Sequence, residues 1–532
     1  MSDTYEKNIF KAFGLLAFTA GIAVGCTSDF DSMNTNPMGI TKGNPGYFMP
    51  YIQEAGTRID SWAYQVGDNL HANLYAQYFA NSTASFNSDS YTYNTAWVSD
   101  GFWVPYYGCV LRHMRKAEEI VAQSPEYGNI YQAMRIFAAS CTAQITDIFG
   151  DVPYSEAGSG NTAAKYDSQQ SIYMSLFKEL TEAVNELKAH KDDKAYVGFK
   201  KEQDLIYDGD LDKWMKLGNS LRLRFAMRLS FVDAATSKRE AEAALAAPGG
   251  VFTDNSDNAG VYISGKGNCG WPLFQISGWG EFCMSKTMEN ILKTTSTVAD
   301  PRMTLWFGHT ETSTAEAPVY AGIPNGLSVS ELGQYPDRSY VWGLKTMPNW
   351  NTVNDKTSNF KALVRQQVMN YAEVCLLKAE AALRGYAGAG NAEQNYLAGI
   401  QASFDGERSS VDAGLYSTEQ DETYKTTGSV AWNSAPDFEG HLNQIITQKW
   451  LAVYPNGVEA WSEFRRTGYP KLSPVKHSLE PTIKAENGEF IKKLRYVDDE
   501  LRENPNATSS GLNQGKGDGL NVRVWWDTKR YK

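Results

Sequence analysis

Beyond Gly25 the sequence has no long apolar run, so it offers no membrane-spanning helix, which would take about 20 consecutive apolar residues. It also has no CxxC pair. Its six cysteines (Cys26, Cys109, Cys141, Cys269, Cys283 and Cys375) are scattered, which excludes zinc knuckles and thioredoxin-like redox motifs. The motifs HExxH, GxSxG, the P-loop and GxGxxG are all missing, so the common zinc-hydrolase, serine-hydrolase and nucleotide signatures fail. The six histidines (His71, His113, His190, His309, His441 and His477) form no close-spaced ligand pair. Basic residues are outnumbered by acids, 50 to 61, and a net charge of -11 argues against a nucleic-acid partner. Asp254-Asn-Ser-Asp257-Asn258 has part of a calcium-loop pattern but lacks its Gly and terminal Glu, and reads as a polar turn. No metal or other cofactor is expected.

The one apolar run sits at the amino terminus. Lys7 and Lys11 precede Ala12–Gly25, a stretch with the length and small-residue ending of a secretory h-region. Cys26 follows Ala23-Val24-Gly25 and resembles the cysteine of a lipobox, which carries a diacylglyceryl group after the leader is removed. Two departures stand out. Lipoboxes usually place Leu, Val or Ile where Ala23 stands, and Asp3 and Glu6 interrupt the basic segment. Behind Cys26, Asp29 and Asp31 make an acidic stretch similar to the surface-export signal of Bacteroidetes lipoproteins. The expectation is a signal peptide over 1–25 and a lipidated Cys26 with its tether over 26–45. One acyl chain anchors marginally and two or more anchor stably.

What is abundant is helical periodicity. Apolar residues recur at spacings of three and four in Val104–Val121, Ile130–Ile148, Ile172–Leu187, Trp214–Phe231, Val364–Leu383 and Leu442–Val453. Small residues in the stripes, such as Ala138, Ala139, Ala372 and Ala379, allow helices to approach closely. This predicts a mostly α fold with degenerate tetratricopeptide-like helix-turn-helix repeats, since no strict 34-residue period is visible. Residues 247–360 break the pattern. They are rich in Gly, Pro, Asn, Ser and aromatics, with short alternation at Gly260–Ser264 and one helix predicted near Phe282–Leu292. A second loop stretch runs from Asn81 to Trp97. Cys141 and Cys375 fall in apolar stripes and read as buried thiols. Cys269 and Cys283 could pair or stay free.

Four blocks carry a family resemblance. Asp147-Ile-Phe-Gly150-Asp151-Val-Pro153-Tyr154-Ser-Glu156-Ala157 is the first. Lys216 to Ser230, with Asn219, Arg222, Arg224 and Arg228, is the second. Tyr371-Ala-Glu373 through Lys378-Ala379-Glu380-Ala381 is the third. The fourth runs from Gln448-Lys449-Trp450 to Glu459-Ala-Trp461-Ser-Glu463-Phe-Arg465-Arg466-Thr-Gly468-Tyr-Pro470. Together with Asn34-Thr-Asn36-Pro37 they resemble the SusD/RagB family, in family order and over nearly the whole mature chain. The resemblance implies a single α-helical domain over 46–532 with a loop-rich, aromatic-rich insertion at about 247–360. It also implies a lipoprotein on the outer face of the outer membrane, without catalytic activity. Such a protein binds an oligosaccharide, or in some members a peptide, and works with a SusC-like TonB-dependent transporter.

Read physically, the blocks are structural. Gly150 is expected to stop a helix, Asp151 to bond nearby backbone N–H groups, and Pro153 to fix the exit. Arg222, Arg224 and Arg228 are expected to pair with acids, and Arg465 and Arg466 with Glu459 and Glu463. Ligand contacts are expected elsewhere. A sugar presents C–H bonds on one face and hydroxyls at its rim, so it wants an exposed aromatic ring beside amides or charged groups. Loop residues Tyr91, Tyr93, Asn94, Trp271, Trp279, Trp306, Trp342 and Trp350 have that chemistry. Two other classes remain open from the residues alone. A surface glycoside hydrolase would need one positioned pair among the 61 acids, and a helical-repeat scaffold would bind only protein.

Overall fold

The computed structural model describes residues 43–158, 160–262, 272–314, 316–341, 365–409, 416–508 and 512–531. Cys26, Cys269, Trp271, Trp342 and Trp350 therefore lie outside the described residues. Among those described, no helix is long and apolar enough to cross a membrane.

The described chain begins with α1 (Met49–Thr57) and α2 (Ser61–Tyr64). Asp60 caps α2 by accepting the N–H groups of Trp62 and Ala63. The helix then continues as wider π-helical turns over Gln65–Ala72 and leads to strand β1 (Phe79–Asn81). Next comes α3 (Thr95–Val98), capped by Asn94. It too widens into π turns, Ser99–Trp103 and Pro105–Leu111, before α4 (Arg112–Val121). The helix expected over Val104–Val121 is thus half π. Pro105, which gives no N–H to the helical ladder, opens the second set of wide turns.

Regular helix pairs follow. α5 (Gly128–Phe149) and α6 (Gln169–His190) run antiparallel: Asn129 bonds the His190 carbonyl, Arg135 meets Glu182, and Gln169 bonds the Thr146 carbonyl. Between them β2 (Val152–Pro153) pairs with β3 (Tyr166–Asp167). Gly150 ends α5 at φ +84, as expected of a helix stop. Asp151 departs from the local turn expected of it. Its carboxylate accepts the distant N–H groups of Gln169 and Asn513.

α7 (Leu211–Arg228) packs on α6 and on α8 (Ala234–Leu245). In the loop-rich region lie β4 (Ala259–Tyr262), α9 (Pro272–Ser277), β5 (Phe282–Met284) and α10 (Lys286–Thr294). The helix expected near Phe282–Leu292 is therefore a strand and then a helix. Phe282-Cys283-Met284 is buried against β1, and Ser285 caps α10 through the N–H of Met288. The same correction applies to Val364–Leu383. β6 (Arg365–Met369) pairs with β4, and Asn370 caps α11 (Tyr371–Leu383). Then come α12 (Ala392–Arg408), α13 (Phe438–Ala452), α14 (Gly457–Thr467) and α15 (Asp498–Glu503). The stripe Ala372, Leu376 and Ala379 of α11 is buried with Tyr396 and Ile400 of α12 and with Ile445 of α13. The fold is mostly α, with helix pairs as the sequence predicts.

A buried charge network joins these pairs. Arg224 forms a two-bond fork with Glu373, at 2.7 and 2.5 Å. Arg228 reaches Glu459 at 2.5 Å and also Glu463. Lys449 meets Glu459 at 2.8 Å, and Arg466 bonds both Glu380 and Glu463 at 2.6 Å. Arg222 pairs with Glu240 at the margin. Pairing of this kind is what allows so many charges inside a fold. Arg465 is the exception to the expected pairing. Its guanidinium donates to the carbonyls of Asp147 and Lys492 and lies 3.6 Å over the Trp461 ring centre. Burial without a carboxylate partner pulls it down to about 10.

Among the thiols, Cys141 and Cys375 are buried as expected. Cys283 is a free, buried thiol on β5, pushed up to about 12 by burial.

Candidate functional site

Two of the three described π-helical stretches, Gln65–Ala72 and Ser99–Trp103, touch backbone to backbone. A Cβ added at Gly101 would lie 2.4 Å from the Gly67 Cα, so only glycine fits there. π turns inside helices occur often at functional sites, and here they bring two indole-bearing segments together. Gly101→Ala is expected to push the segments apart at a cost of about 1–3 kcal/mol. Urea midpoints would register that cost, and ligand affinity should fall in parallel.

Around this crossing a closed circuit of contacts bounds one patch of surface. Trp62, from α2, donates its indole N–H to the Asp100 carboxylate at 3.0 Å. One turn further on, Gln65 donates to Glu281 at 2.6 Å. Two residues before Glu281 stands Trp279, in the turn that ends α9. Ser82 ties the next segment in: its hydroxyl donates to the Gly280 carbonyl at 2.7 Å and its N–H to that of Glu281. From Ser82 the chain runs to Phe86, whose ring meets Trp97 edge-on at 5.7 Å. Trp97 lies three residues before Asp100, which closes the circuit.

Trp62 is 50% exposed and Trp279 is 51% exposed, while Trp97 and Phe86 are partly so. Large rings left this open are the unusual observation, since aromatic side chains normally find burial. Burial pushes the Glu281 carboxyl up, and the Gln65 hydrogen bond opposes that. The Asp100 and Glu281 carboxylates have lone pairs left beyond the Trp62 and Gln65 bonds. The patch therefore offers flat π-faces for C–H groups and carboxylate acceptors for hydroxyls.

The residues expected as ligand contacts fall in different places. Of those described, only Trp279 belongs to this patch. Tyr91 is 3% exposed, in left-handed backbone, with its ring against Tyr75. Tyr93 is half-buried and donates its hydroxyl to the carbonyls of Arg495 and Tyr496. Asn94 spends its side-chain oxygen on the α3 cap. Trp306 is 4% exposed, stacked 4.3 Å from Tyr454, with its indole N–H on Glu407 at 2.8 Å. These four make their contacts within the fold, outside the patch. Trp62, Trp97, Phe86, Asp100 and Glu281 are the members that sequence reasoning did not single out. The polar setting of Trp62, one residue after Asp60-Ser61, was the available signal.

The turn at Asp254–Asp257 is also accounted for. Asp254 caps it, and the Asp257 carboxylate takes Lys216 and Thr253. Among the described residues no group of three or more His, Cys, Asp or Glu is arranged to hold a metal ion.

Glu407, which anchors Trp306, yields a prediction. Burial lifts its carboxyl to about 7, against the pull of the Trp306 hydrogen bond and of Arg302. The native state thus holds a proton that the unfolded chain releases from about pH 4.5 upward, so stability falls as pH rises from 4.5 to 7. Glu407→Gln keeps an acceptor for the indole and removes the charge. Its urea midpoint should exceed the parent's at pH 8 and match it at pH 4.

A family model described as "SusD-like: Susd and RagB outer membrane lipoprotein" matches residues 32–527. A chitin-binding SusD homologue from Flavobacterium johnsoniae is 31% identical with a TM-score of 0.75, covering 91% of this chain and 98% of its own. A SusD homologue from Bacteroides vulgatus is 27% identical, TM-score 0.74, with 91% and 98% covered. Another structure, described as a chitin-binding protein, is 26% identical, TM-score 0.73, with 91% and 100% covered. Among curated proteins none matches this chain.

Proposed function

Because the chain belongs to the SusD/RagB family of outer-membrane lipoproteins, we propose that it is a surface glycan-binding lipoprotein that passes its ligand to a SusC-like TonB-dependent transporter. The observation that carries the ligand class is the ringed patch with Trp62 and Trp279 half exposed. A pyranose stacks its C–H face on an indole, and the Asp100 and Glu281 carboxylates accept its hydroxyl or amide hydrogens. Two relatives carry chitin-binding descriptions, which makes β-linked N-acetylglucosamine oligomers the first ligand to try. Such a ligand matches the patch: its acetamido N–H groups are donors, and the patch's charged groups are acceptors.

The remaining parts follow from the same reading. Residues 1–25 act as a lipoprotein signal peptide and Cys26 carries the lipid, with the tether over 26–45. The single domain over 46–532 faces outward, and its insertion at about 247–360 supplies Trp279 and Glu281. Trp271, Trp342 and Trp350, in the same sequence interval, are proposed as further ligand contacts. Binding needs no cofactor, and the protein does no chemistry on the ligand.

Electrophoresis in native gels containing a soluble chitin derivative, with a parallel assay for new reducing ends, tests the ligand half of this reading. Retardation without release of reducing ends is expected. Release of reducing ends would instead make the protein a glycoside hydrolase. A retarding gel with a peptide, and none with any glycan, would move it to the peptide-binding members.

A further inference from the structure

A cavity of about 600 Å³ lies between α4, the loop residues Ala157, Gly158 and Gly160 to Ala164, and α15. Trp103 and Tyr107 form its floor, 4.5 Å apart at a tilt, and the Tyr107 hydroxyl is fixed on the Pro153 carbonyl at 2.9 Å. That volume lies inside the range of small-molecule sites, roughly 300–1,000 Å³.

The walls are held in place by their own bonds. Arg115 donates to the carbonyls of Ala157 and Tyr154 at 3.1 and 2.7 Å, which fixes the loop against α4. On the far side, Asn504 donates to the Ala164 carbonyl at 2.9 Å and to Glu500 Oε1 at 2.8 Å. Tyr166 also donates to that same Oε1, at 2.9 Å. Both donors therefore fall on one oxygen, and Glu500 Oε2 takes no donor among the described residues. Burial pushes this carboxyl up, so its charged form gains from a cation beside it.

The opposite wall, on α4, carries three cations, Arg112, Arg115 and Lys116, against one acid, Glu119. Arg112 is exposed at the cleft with no ion-pair or hydrogen-bond partner among the described residues. Lys116, one turn on, pairs among the described residues only with the exposed Glu119 at 2.9 Å, a contact of the weak surface kind. Glu503, on α15 with Glu500, pairs among the described residues only with its exposed neighbour Arg502.

We propose that this cleft is a second binding site, for a short peptide with free termini, whose ammonium end meets Glu500 and whose carboxylate end meets Arg112 and Lys116. A neutral glycan would leave both charged walls unmatched, and a uronate would satisfy only one. An occupant with its two charges at opposite ends satisfies both. The aromatic floor accommodates small side chains between them. The site is independent of the glycan reading, because it uses none of the residues of the tryptophan patch.

Isothermal titration of the full chain with trialanine tests it. Saturable binding is expected, weakened about tenfold by N-acetylation of the peptide and about tenfold by C-terminal amidation, the value of one hydrogen-bonded charge contact. Arg112→Met should erase the preference for the free acid, and Glu500→Gln the preference for the free amine. Thr162→Trp, at an exposed position on the rim, should abolish trialanine binding and leave retardation in glycan-containing gels unchanged. Absence of binding by the folded chain at millimolar trialanine would overturn the proposal. So would binding that survives Thr162→Trp, or that ignores both terminal modifications.

Discussion

Glu463→Ala is expected to cost about 3–5 kcal/mol of stability, the loss seen when one partner of a buried ion pair is removed and the others stay charged. The Glu463 carboxylate meets Arg228, Lys449 at 3.5 Å and Arg466 at 2.6 Å, all buried. Burial pushes this carboxyl up, but Arg466, Lys449 and Arg228 together outweigh burial and hold it well below the ordinary carboxylate range. Removing it leaves Arg224, Arg228, Lys449 and Arg466 facing Glu373, Glu380, Glu459 and, at 3.3 Å from Arg228, Asp147. Urea midpoints measure the loss. Arg239→Ala, which removes an exposed guanidinium from Glu240 while Glu240 keeps Arg222, is the contrast and should change stability by less than about 0.5 kcal/mol.

The same network sets an acid limit. The folded-state value of Glu459 is down at about 2, because the attraction of Arg228, Lys449 and Arg224 exceeds the burial penalty. A carboxylate depressed in the folded state contributes stability above its unfolded value, here 4.5, and loses it as pH falls toward 2. The share of stability that Glu459 contributes should therefore be constant above pH 5 and decline between about pH 4.5 and 2. A profile in which Glu463→Ala costs as much at pH 2 as at pH 7 would contradict this assignment.

The second large effect is on binding. Trp62→Ala combined with Trp279→Ala is expected to lower glycan affinity by about 100-fold or more, since each aromatic anchor in a binding patch contributes on the order of 2 kcal/mol. Because both rings are half exposed, the double variant should keep the parent's urea midpoint within about 0.5 kcal/mol. Trp306→Ala separates the two roles. That ring is buried on Tyr454, so its loss should cost stability by roughly 3–5 kcal/mol. Affinity measured by titration with N-acetylglucosamine oligomers, beside the midpoints, distinguishes an anchor from a core residue.

Much of the helical architecture was legible because it rests on local pattern. Ala372, Leu376 and Ala379 fall on one stripe and are buried on one face of α11. The pairing of Arg222, Arg224, Arg228 and Arg466 was legible too, since charges at stripe-facing positions need partners. The errors have particular causes. Periodicity ran through Asn370 and Ser285, yet both are caps, and the apolar residues before them pair in strands β6 and β5. Short apolar runs of this length do not distinguish strand from helix.

The proposed ligand patch was harder to read, because exposure of a ring is decided by tertiary contact. Trp306 sits in a mixed sequence, but Glu407, distant in the chain, satisfies its indole N–H and lets it be buried. Tyr91 stands among Ser, Asp and Thr, and its left-handed backbone turns it inward. The segments that carry Trp62 and Trp97 meet at the Gly67–Gly101 crossing, and nothing in the spacing of those glycines announces a contact between them.

The measurement that bears most directly on the central claim is a pull-down from the native host in mild detergent, using a carboxy-terminal tag, with co-purifying proteins identified by mass. The account predicts a large β-barrel transporter at near-equal stoichiometry, together with a lipid-modified Cys26 as the first residue of the mature protein. A surface-located protein that brings down no such transporter would contradict the uptake role.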